Sequence, residues 1–323
     1  MPDNLSTSSS KPAFLRKSLV FIAIIVVLDF ATGFGLRSLY FSQISGPNHR
    51  ITYALDHADE DILIFGSSLA NHTYIPRIFS DRLGHTCYNT GRDGADIYYY
   101  RALQLGIIKR YTPRLIILTV NINELIQNDS SLHRLSCLLP YYKTHPEIRQ
   151  VLNLRSKFER IKLLSAIYPF NSMIMTIIRY NFTEDNVVNG YIPLDRSLTL
   201  TEVDSFNLDA EGQNVTRGID RTKELIFDQF IEDCVRKNIR VVIIRPPVVT
   251  LFDSERESFD SIRDLANRHH VPVWDYTDDA AFYGKHHLFA DRIHLNHTGA
   301  KIFSDMIAKR LKPALQTTSH KDR

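Results

Sequence analysis

The sequence predicts an α/β fold, a doubly wound parallel sheet, and three observations carry that prediction. Short, wholly apolar runs such as Ile62-Leu63-Ile64-Phe65 read as strands buried on both faces. Amphipathic stretches of helical length separate them, as crossovers between parallel strands require. Hydrophobic residues make up 44% of the 323-residue chain and charged residues 23%, a globular balance that excludes a disordered or collagen-like protein.

Four strands are expected, over 61–66, 115–120, 241–244 and 271–274. Helices are expected over 76–83, 95–110, 221–237 and 254–268, and a last one carries Ile302, Phe303, Met306 and Ile307. Pro76 at its first turn and Gly84 past its end bound the first of these helices. Ser254 and Glu257 have capping-box spacing at the start of another. From 127 to 214 the alternation stops: the stretch is rich in Tyr, Phe and Leu, is punctuated by Pro140, Pro146, Pro169 and Pro193, and shows no strand pattern. A connection that long without structure is improbable in a compact domain, so a largely helical insertion covering one edge of the sheet is expected.

The N-terminal region is a separate unit. A polar, Ser-rich tract reaches Lys11, Arg16 and Lys17 follow, and residues 18–36 are apolar over about the length that crosses a bilayer. Basic residues before the span place residues 1–17 in the cytoplasm and the domain at 50–315 on the periplasmic or extracellular side of the inner membrane. No small-x-small cleavage site follows the apolar run, which favours an uncleaved signal anchor over a removed signal peptide. Asp29 is the one ionisable group in the span, and it calls for a place near the outer interface or a partner helix. A helix buried in the protein core is the other explanation of the same apolar run.

Charge and cysteine content narrow the classes further. The formal net charge is +3, and the two ends hold more than all of it: Lys11, Arg16 and Lys17 against Asp3, then Lys312, Lys321 and Arg323 against Asp322. The body lacks the basic surface that tracks phosphates, so nucleic acid is not an expected partner. Cys87, Cys137 and Cys234 are too few for a disulfide scaffold and read as buried small residues. Tyr98, Tyr99 and Tyr100 read as helix packing. The pairs His269-His270 and His286-His287 lack a Cys or Glu at metal-ligand spacing, so no metal is expected. The sequons at Asn71 and Asn296 flank the polar clusters described next, where a glycan would obstruct them, and read as chance matches, which favours a bacterial over a eukaryotic secretory protein.

Ligands of open parallel sheets bind beyond the carboxyl ends of the strands. Three polar clusters stand there or lead into a helix: Gly66-Ser67-Ser68, Asn89 through Gly94, and Asn121-Ile122-Asn123-Glu124. A fourth, Asp291-Arg292-Ile293-His294, precedes the last helix. Together they offer a hydroxyl, an imidazole, a carboxylate and several donors. A serine hydroxyl needs a base to take its proton, a histidine titrates near neutrality, and a carboxylate three residues earlier can hold the ring. Ser68, His294 and Asp291 are therefore the candidate nucleophile, base and orienting acid. The backbone N–H groups of Ser68 and Gly94 and the Asn123 amide are the candidate oxyanion donors.

In this order of clusters, over residues 60–312, the chain resembles the SGNH hydrolase (GDSL-like) superfamily. Gly66-Ser67-Ser68 matches the first block with Ser67 in place of Asp. Asn89 and Gly94 match the second, Asn121-Ile122-Asn123 keeps the Asn of the third while losing its Gly, and Asp291 with His294 matches the last outright. The resemblance implies an esterase or O-acyltransferase working through an acyl-serine without a cofactor. Its membrane-anchored members imply an acylated carbohydrate of the cell envelope, or another ester, as substrate, and leave room for a membrane-bound acyl donor protein. The alternative is a catalytically inactive protein of the same fold for glycan binding or envelope assembly, motivated by the changes at Ser67 and Asn121. Within the insertion, Tyr141 and Tyr142 are expected to line the substrate site, beside Tyr168 and Phe170.

Overall fold

Five parallel strands form the sheet in this computed structural model, which describes residues 10–121, 123–199, 201–203, 218–249 and 256–316. They are β1 (Ile62–Phe65), β2 (Cys87–Asn89), β3 (Leu115–Thr119), β4 (Arg240–Arg245) and β5 (Val273–Asp275), in the order β2-β1-β3-β4-β5. Four were expected. The fifth, β2, is only three residues long and includes Asn89, too short and too polar to show a strand pattern. It pairs with β1 through Ile62 opposite Cys87 and Ile64 opposite Asn89.

The strands alternate their side chains between two cores, as the period of two requires. Leu63, Phe65, Ile116, Leu118, Val241 and Ile243 face one core, whereas Ile62, Ile64, Leu115, Ile117, Val242 and Ile244 face the other. Because both faces are covered, β1 and the central residues of β3 and β4 are apolar on both sides. Only β5, at the edge, leaves Asp275 exposed.

The helices used below are α1 (Ser10–Phe41), α2 (Gly46–Thr52), α3 (Ser68–Thr73), α4 (Pro76–Leu83), α5 (Ile97–Arg110), α6 (Ile174–Tyr180), α7 (Arg221–Arg236), α8 (Arg256–Arg268) and α9 (His297–Gln316). Pro76 starts α4 and Gly84 ends it in the left-handed conformation, as expected. Asp96 caps α5 by accepting from the Tyr98 N–H, and Asp220 caps α7 by accepting from those of Thr222 and Lys223. The capping box proposed at Ser254, the N-terminal polar tract up to residue 9 and residues 204–214 of the insertion lie outside the described residues. Tyr98, Tyr99 and Tyr100 are buried in the core, as are Cys87, Cys137 and Cys234.

The insertion leaves and returns at one point. Ile126 and Ile219 form an antiparallel bridge, and Gln127 N–H donates to Gly218 O at 3.1 Å. Its described residues form short helical segments, among them Ser131–Arg134, a 3-10 stretch at Leu135–Tyr141, and α6.

Helix α1 is long and apolar enough to cross a membrane. Leu19 through Phe34 leave their large side chains largely exposed, which excludes a buried core helix. Asp29 finds its partners in its own chain: its carboxylate accepts from Ser165 Oγ at 2.6 Å, Ala166 N–H at 2.6 Å and Ile167 N–H at 3.4 Å. Gly33 lies against the Ala166 backbone, where a Cβ has no room.

Candidate functional site

The chain passes from β1 to β2 on one side and then to β3 on the other, so the sheet changes direction between β1 and β3. Crevices at such switch points, beyond the strand ends, are where doubly wound sheets hold ligands. Ser68 follows β1 and Asn123 follows β3, and both line one cavity of about 280 Å³.

A sharp turn delivers Ser68. Gly66 has φ +155°, and a Cβ there would lie 2.7 Å from that of Ala70 and 2.9 Å from that of Thr119, so only glycine permits the exit from β1. Ser67 then caps α3, its Oγ accepting from Leu69 N–H at 3.4 Å, which leaves Ser68 to face the crevice. The Asp-to-Ser change at 67 thus retains a residue suited to a helix N-cap.

Ser68 Oγ lies 2.7 Å from His294 Nε2. On the other side of the ring, Nδ1 donates to Asp291 Oδ2 at 2.8 Å and lies 3.0 Å from Oδ1. This bond places the ring proton on Nδ1, so Nε2 of the neutral imidazole accepts the Ser68 hydroxyl. Asp291 Oδ1 also accepts from the backbone N–H groups of Ile293 (2.9 Å) and His294 (3.0 Å). Burial raises the Asp291 carboxyl, but the His294 ring and these two amides outweigh it and hold the group below the ordinary carboxylate range.

The oxyanion candidates gather at the same cavity. Gly94 and Asn123 line it beside Ser68. Gly94 sits at φ +70°, which favours glycine, with the Arg134 guanidinium donating to its carbonyl; a Cβ there would only displace the end of that flexible side chain. Asn121, where the family has glycine, builds a side-chain turn instead. Its Oδ1 accepts from Asn123 N–H at 2.7 Å and its Nδ2 donates to Glu124 Oε2 at 3.0 Å, which fixes the loop that presents Asn123.

A network missed in the sequence joins these pieces. Asn89 Nδ2 donates to the carbonyls of Ala70 (2.7 Å) and Tyr74 (3.0 Å), tying β2 to α3. Asn71 Nδ2 donates to Asp93 Oδ1 at 2.7 Å, while His72 Nε2 stands 3.1 Å from that same oxygen and His72 Nδ1 lies 2.9 Å from Ile192 O. Both nitrogens of the His72 ring face acceptors, an arrangement satisfied by the imidazolium. Burial lowers the His72 pKa, yet Asp93 and the Ile192 carbonyl prevail and raise it overall. Asp93, raised by burial but lowered more by His72 and Asn71, falls to about 2. Asp93 directly precedes Gly94, so this clamp holds the peptide that carries the Gly94 N–H.

The inner wall of the cavity is polar as well. Lys223, almost fully buried, pairs with Asp96 Oδ2 at 3.1 Å and donates to Ile126 O at 3.0 Å. Glu124 beside them is pushed up to about 8, by burial first and the Asp96 charge second. In sequence Lys223 read as one cation on an amphipathic helix and Asp96 as part of a helix, so neither stood out.

Tyr141 and Tyr142 do not line the cavity, which corrects the expectation for them. Tyr141 is fully buried, its OH 2.5 Å from Thr52 Oγ1 and 3.3 Å from Tyr40 OH, with its ring edge-on to Tyr40 and Phe41 of α1. Tyr142 is half-buried, donates to Asn153 Oδ1 at 3.0 Å and lies under Arg149. These aromatics join the insertion to α1 and to itself. Arg134 is the insertion residue that reaches the cavity lining together with Asn128.

No family model matches the chain, and no curated protein matches it in sequence. Solved structures similar to it include a lipase/acylhydrolase from Enterococcus faecalis, at 13% identity and a TM-score of 0.40, covering 78% of this chain and 95% of that one. A putative platelet activating factor from Streptococcus pneumonia aligns at 12% identity and a TM-score of 0.42, over 93% of this chain and 99% of that one. A putative SGNH hydrolase from Slackia heliotrinireducens aligns at 10% identity and a TM-score of 0.40, over 77% and 96%. In its α/β fold the chain resembles the SGNH hydrolases.

Proposed function

We propose that the chain is a membrane-anchored serine esterase or O-acyltransferase, acting through an acyl-serine on Ser68. The observation that carries this reading is the unbroken line from Asp291 through His294 to Ser68 Oγ, with separations of 2.8 and 2.7 Å, opening into the cavity that Gly94 and Asn123 also line.

The chemistry follows from these positions. Ser68 Oγ attacks the acyl carbon as His294 Nε2 takes its proton, and Asp291 stabilises the imidazolium that forms. The carbonyl oxygen becomes an oxyanion facing the N–H groups of Ser68 and Gly94 and the Asn123 amide, each donor worth about 3 to 4 kcal/mol in such sites. Collapse expels the alcohol, which leaves with the proton from His294. Water or a sugar hydroxyl then attacks the acyl-serine, gives its proton to His294 and releases Ser68. An acylated glycan of the cell envelope suits a domain held outside the membrane by α1, and Arg134 and Arg245 at the cavity supply cations for polar substrate groups.

A fluorophosphonate probe tests the reading. Labelling on Ser68, lost in Ser68→Ala and kept in Ser67→Ala, is the expected result. An adduct on Ser67, or labelling that survives Ser68→Ala, would overturn the assignment, and no labelling at all would return the chain to the non-catalytic alternative. Protease access to the domain in spheroplasts tests the anchor: protection there would overturn the proposed orientation.

A further inference from the structure

Among the described residues outside α1, exposed large apolar side chains are mostly scattered, but between 154 and 182 they gather. Phe158, Ile161, Leu164, Met175, Ile178 and Phe182 are between 46% and 85% exposed. A concentration of this kind marks a surface that meets a partner. Its place in the fold identifies that partner.

The segment is fastened to the apolar helix. Leu164 directly precedes Ser165, whose hydroxyl bonds Asp29, and α6 is tied further along α1 by Asn181, which donates to Leu39 O at 2.9 Å and accepts from Ser42 Oγ at 2.9 Å. Met175, Ile178 and Phe182 are spaced to share one side of α6 and its C-terminal extension. At 1.5 Å per residue, a hydrocarbon core of about 30 Å takes up some 20 residues of α1. Counted from Pro12 it ends near Ala31, and counted from Ser18 it ends near Arg37. Asp29 then lies roughly 3 to 12 Å inside the outer boundary, and the Ser165–Ile167 turn bonded to it shares that depth. Interfacial elements bury their apolar side by about 5 to 10 Å.

Charge agrees with this placement. Lys157, Lys162 and Arg179 alternate with the apolar residues and lie over the rings of Phe158, Tyr168 and Tyr180 at 5.0, 5.9 and 5.3 Å. Cations beside aromatic and aliphatic side chains are the pattern of a surface that sits among lipid headgroups. We infer that residues 158–182 rest in the outer leaflet beside α1, with a lipid bilayer as their partner. This rests on the proposed anchor and adds a second, monotopic contact to it.

Depth-dependent fluorescence quenching tests the inference on the intact chain, reconstituted into phosphatidylcholine vesicles containing a minority of phosphatidylglycerol and lipids brominated along their acyl chains. The single native tryptophan, Trp274, supplies the baseline. Leu164→Trp and Met175→Trp should each show at least about twofold more quenching than Leu225→Trp, an exposed position on α7, and Leu164→Trp should exceed Phe182→Trp. Val26→Trp, in the middle of α1, reports the span independently. Quenching at Leu164 and Met175 no greater than at Leu225 would overturn the inference. With Val26→Trp quenched, the anchor would stand and the surface would belong to a protein partner or a second copy; with Val26→Trp also unquenched, the anchor would fall with it.

Discussion

His72 and His294 meet edge to face, their ring centroids 5.4 Å apart, yet only His294 faces Ser68. The first ring holds Asp93 and, through it, the peptide bearing the Gly94 N–H, so under the proposed mechanism His72 is a positioning residue rather than a base. His72→Gln should lower kcat on a chromogenic acetate ester by roughly tenfold, a fraction of what losing a whole oxyanion donor costs, and leave KM nearly unchanged. The His72 pKa is raised, so its contribution is complete below the ordinary imidazole value and fades as pH rises through the folded one. The parent kcat profile should therefore carry an alkaline decline that His72→Gln lacks. A rise in KM with kcat unchanged would instead mean a substrate contact.

Asp291 fixes the tautomer of His294, and an amide in its place offers a donor where the ring needs an acceptor. Asp291→Asn should reduce kcat on the order of 10³- to 10⁴-fold while the fold, followed by circular dichroism, is retained. A loss below tenfold would show that the carboxylate only caps the turn before α9.

Glu124 ties the inner wall of the cavity to the pH dependence of stability. Its carboxyl titrates at about 8 in the folded chain, against about 4.3 for an ordinary glutamate. Between those values the folded chain keeps a proton that the unfolded chain has released, so stability falls as pH rises through that window and levels off above about 8. Thermal unfolding in detergent should show the Tm of the parent dropping relative to Glu124→Gln from pH 5 to pH 9. Parallel curves for the two proteins would mean that Glu124 is ionised throughout.

Tyr141 belongs to the joint between the insertion and α1. Tyr141→Ala should cost about 3 to 5 kcal/mol in denaturant unfolding, as for other large-to-small core changes, and Tyr141→Phe about 1 kcal/mol for its hydroxyl bonds. The folded fraction of either variant should react with the fluorophosphonate probe at the parent rate. A slower rate at full folding would place the side chain back in the substrate path.

Much of this arrangement was legible because it is written in consecutive residues. Asp291 and His294 are three apart in one turn, and Ser68 stands third in a Gly-Ser-Ser run at the end of a strand, so their spacing and the resemblance of these blocks pointed to the geometry found. Strands β1, β3 and β4 announced themselves as apolar runs, while β2 did not, since Cys87, Tyr88 and Asn89 owe their extended shape to pairing with Ile62 through Ile64. The clamp at Asp93 depends on α2, α3 and Ile192 converging, with Arg50 donating to Asn71 Oδ1 at 3.1 Å, and no local pattern encodes that meeting. Tyr141 misled for the opposite reason: an aromatic in an insertion looks the same in sequence whether it faces a ligand or a neighbouring helix.

The sequon at Asn71 has a practical consequence for how the protein is made. In the folded chain the Asn71 side chain is fully buried, its amide nitrogen held by Asp93 and its oxygen by Arg50. An oligosaccharyltransferase meets the nascent chain before this packing exists, and a sugar attached there is too bulky to be enclosed later. Passage through a eukaryotic secretory pathway should therefore yield chains locked out of the native state at Asn71, and an Asn71→Gln or Thr73→Ala version made to prevent this would disturb the clamp or helix α3 itself. Bacterial hosts, or cell-free synthesis without microsomes, avoid the conflict.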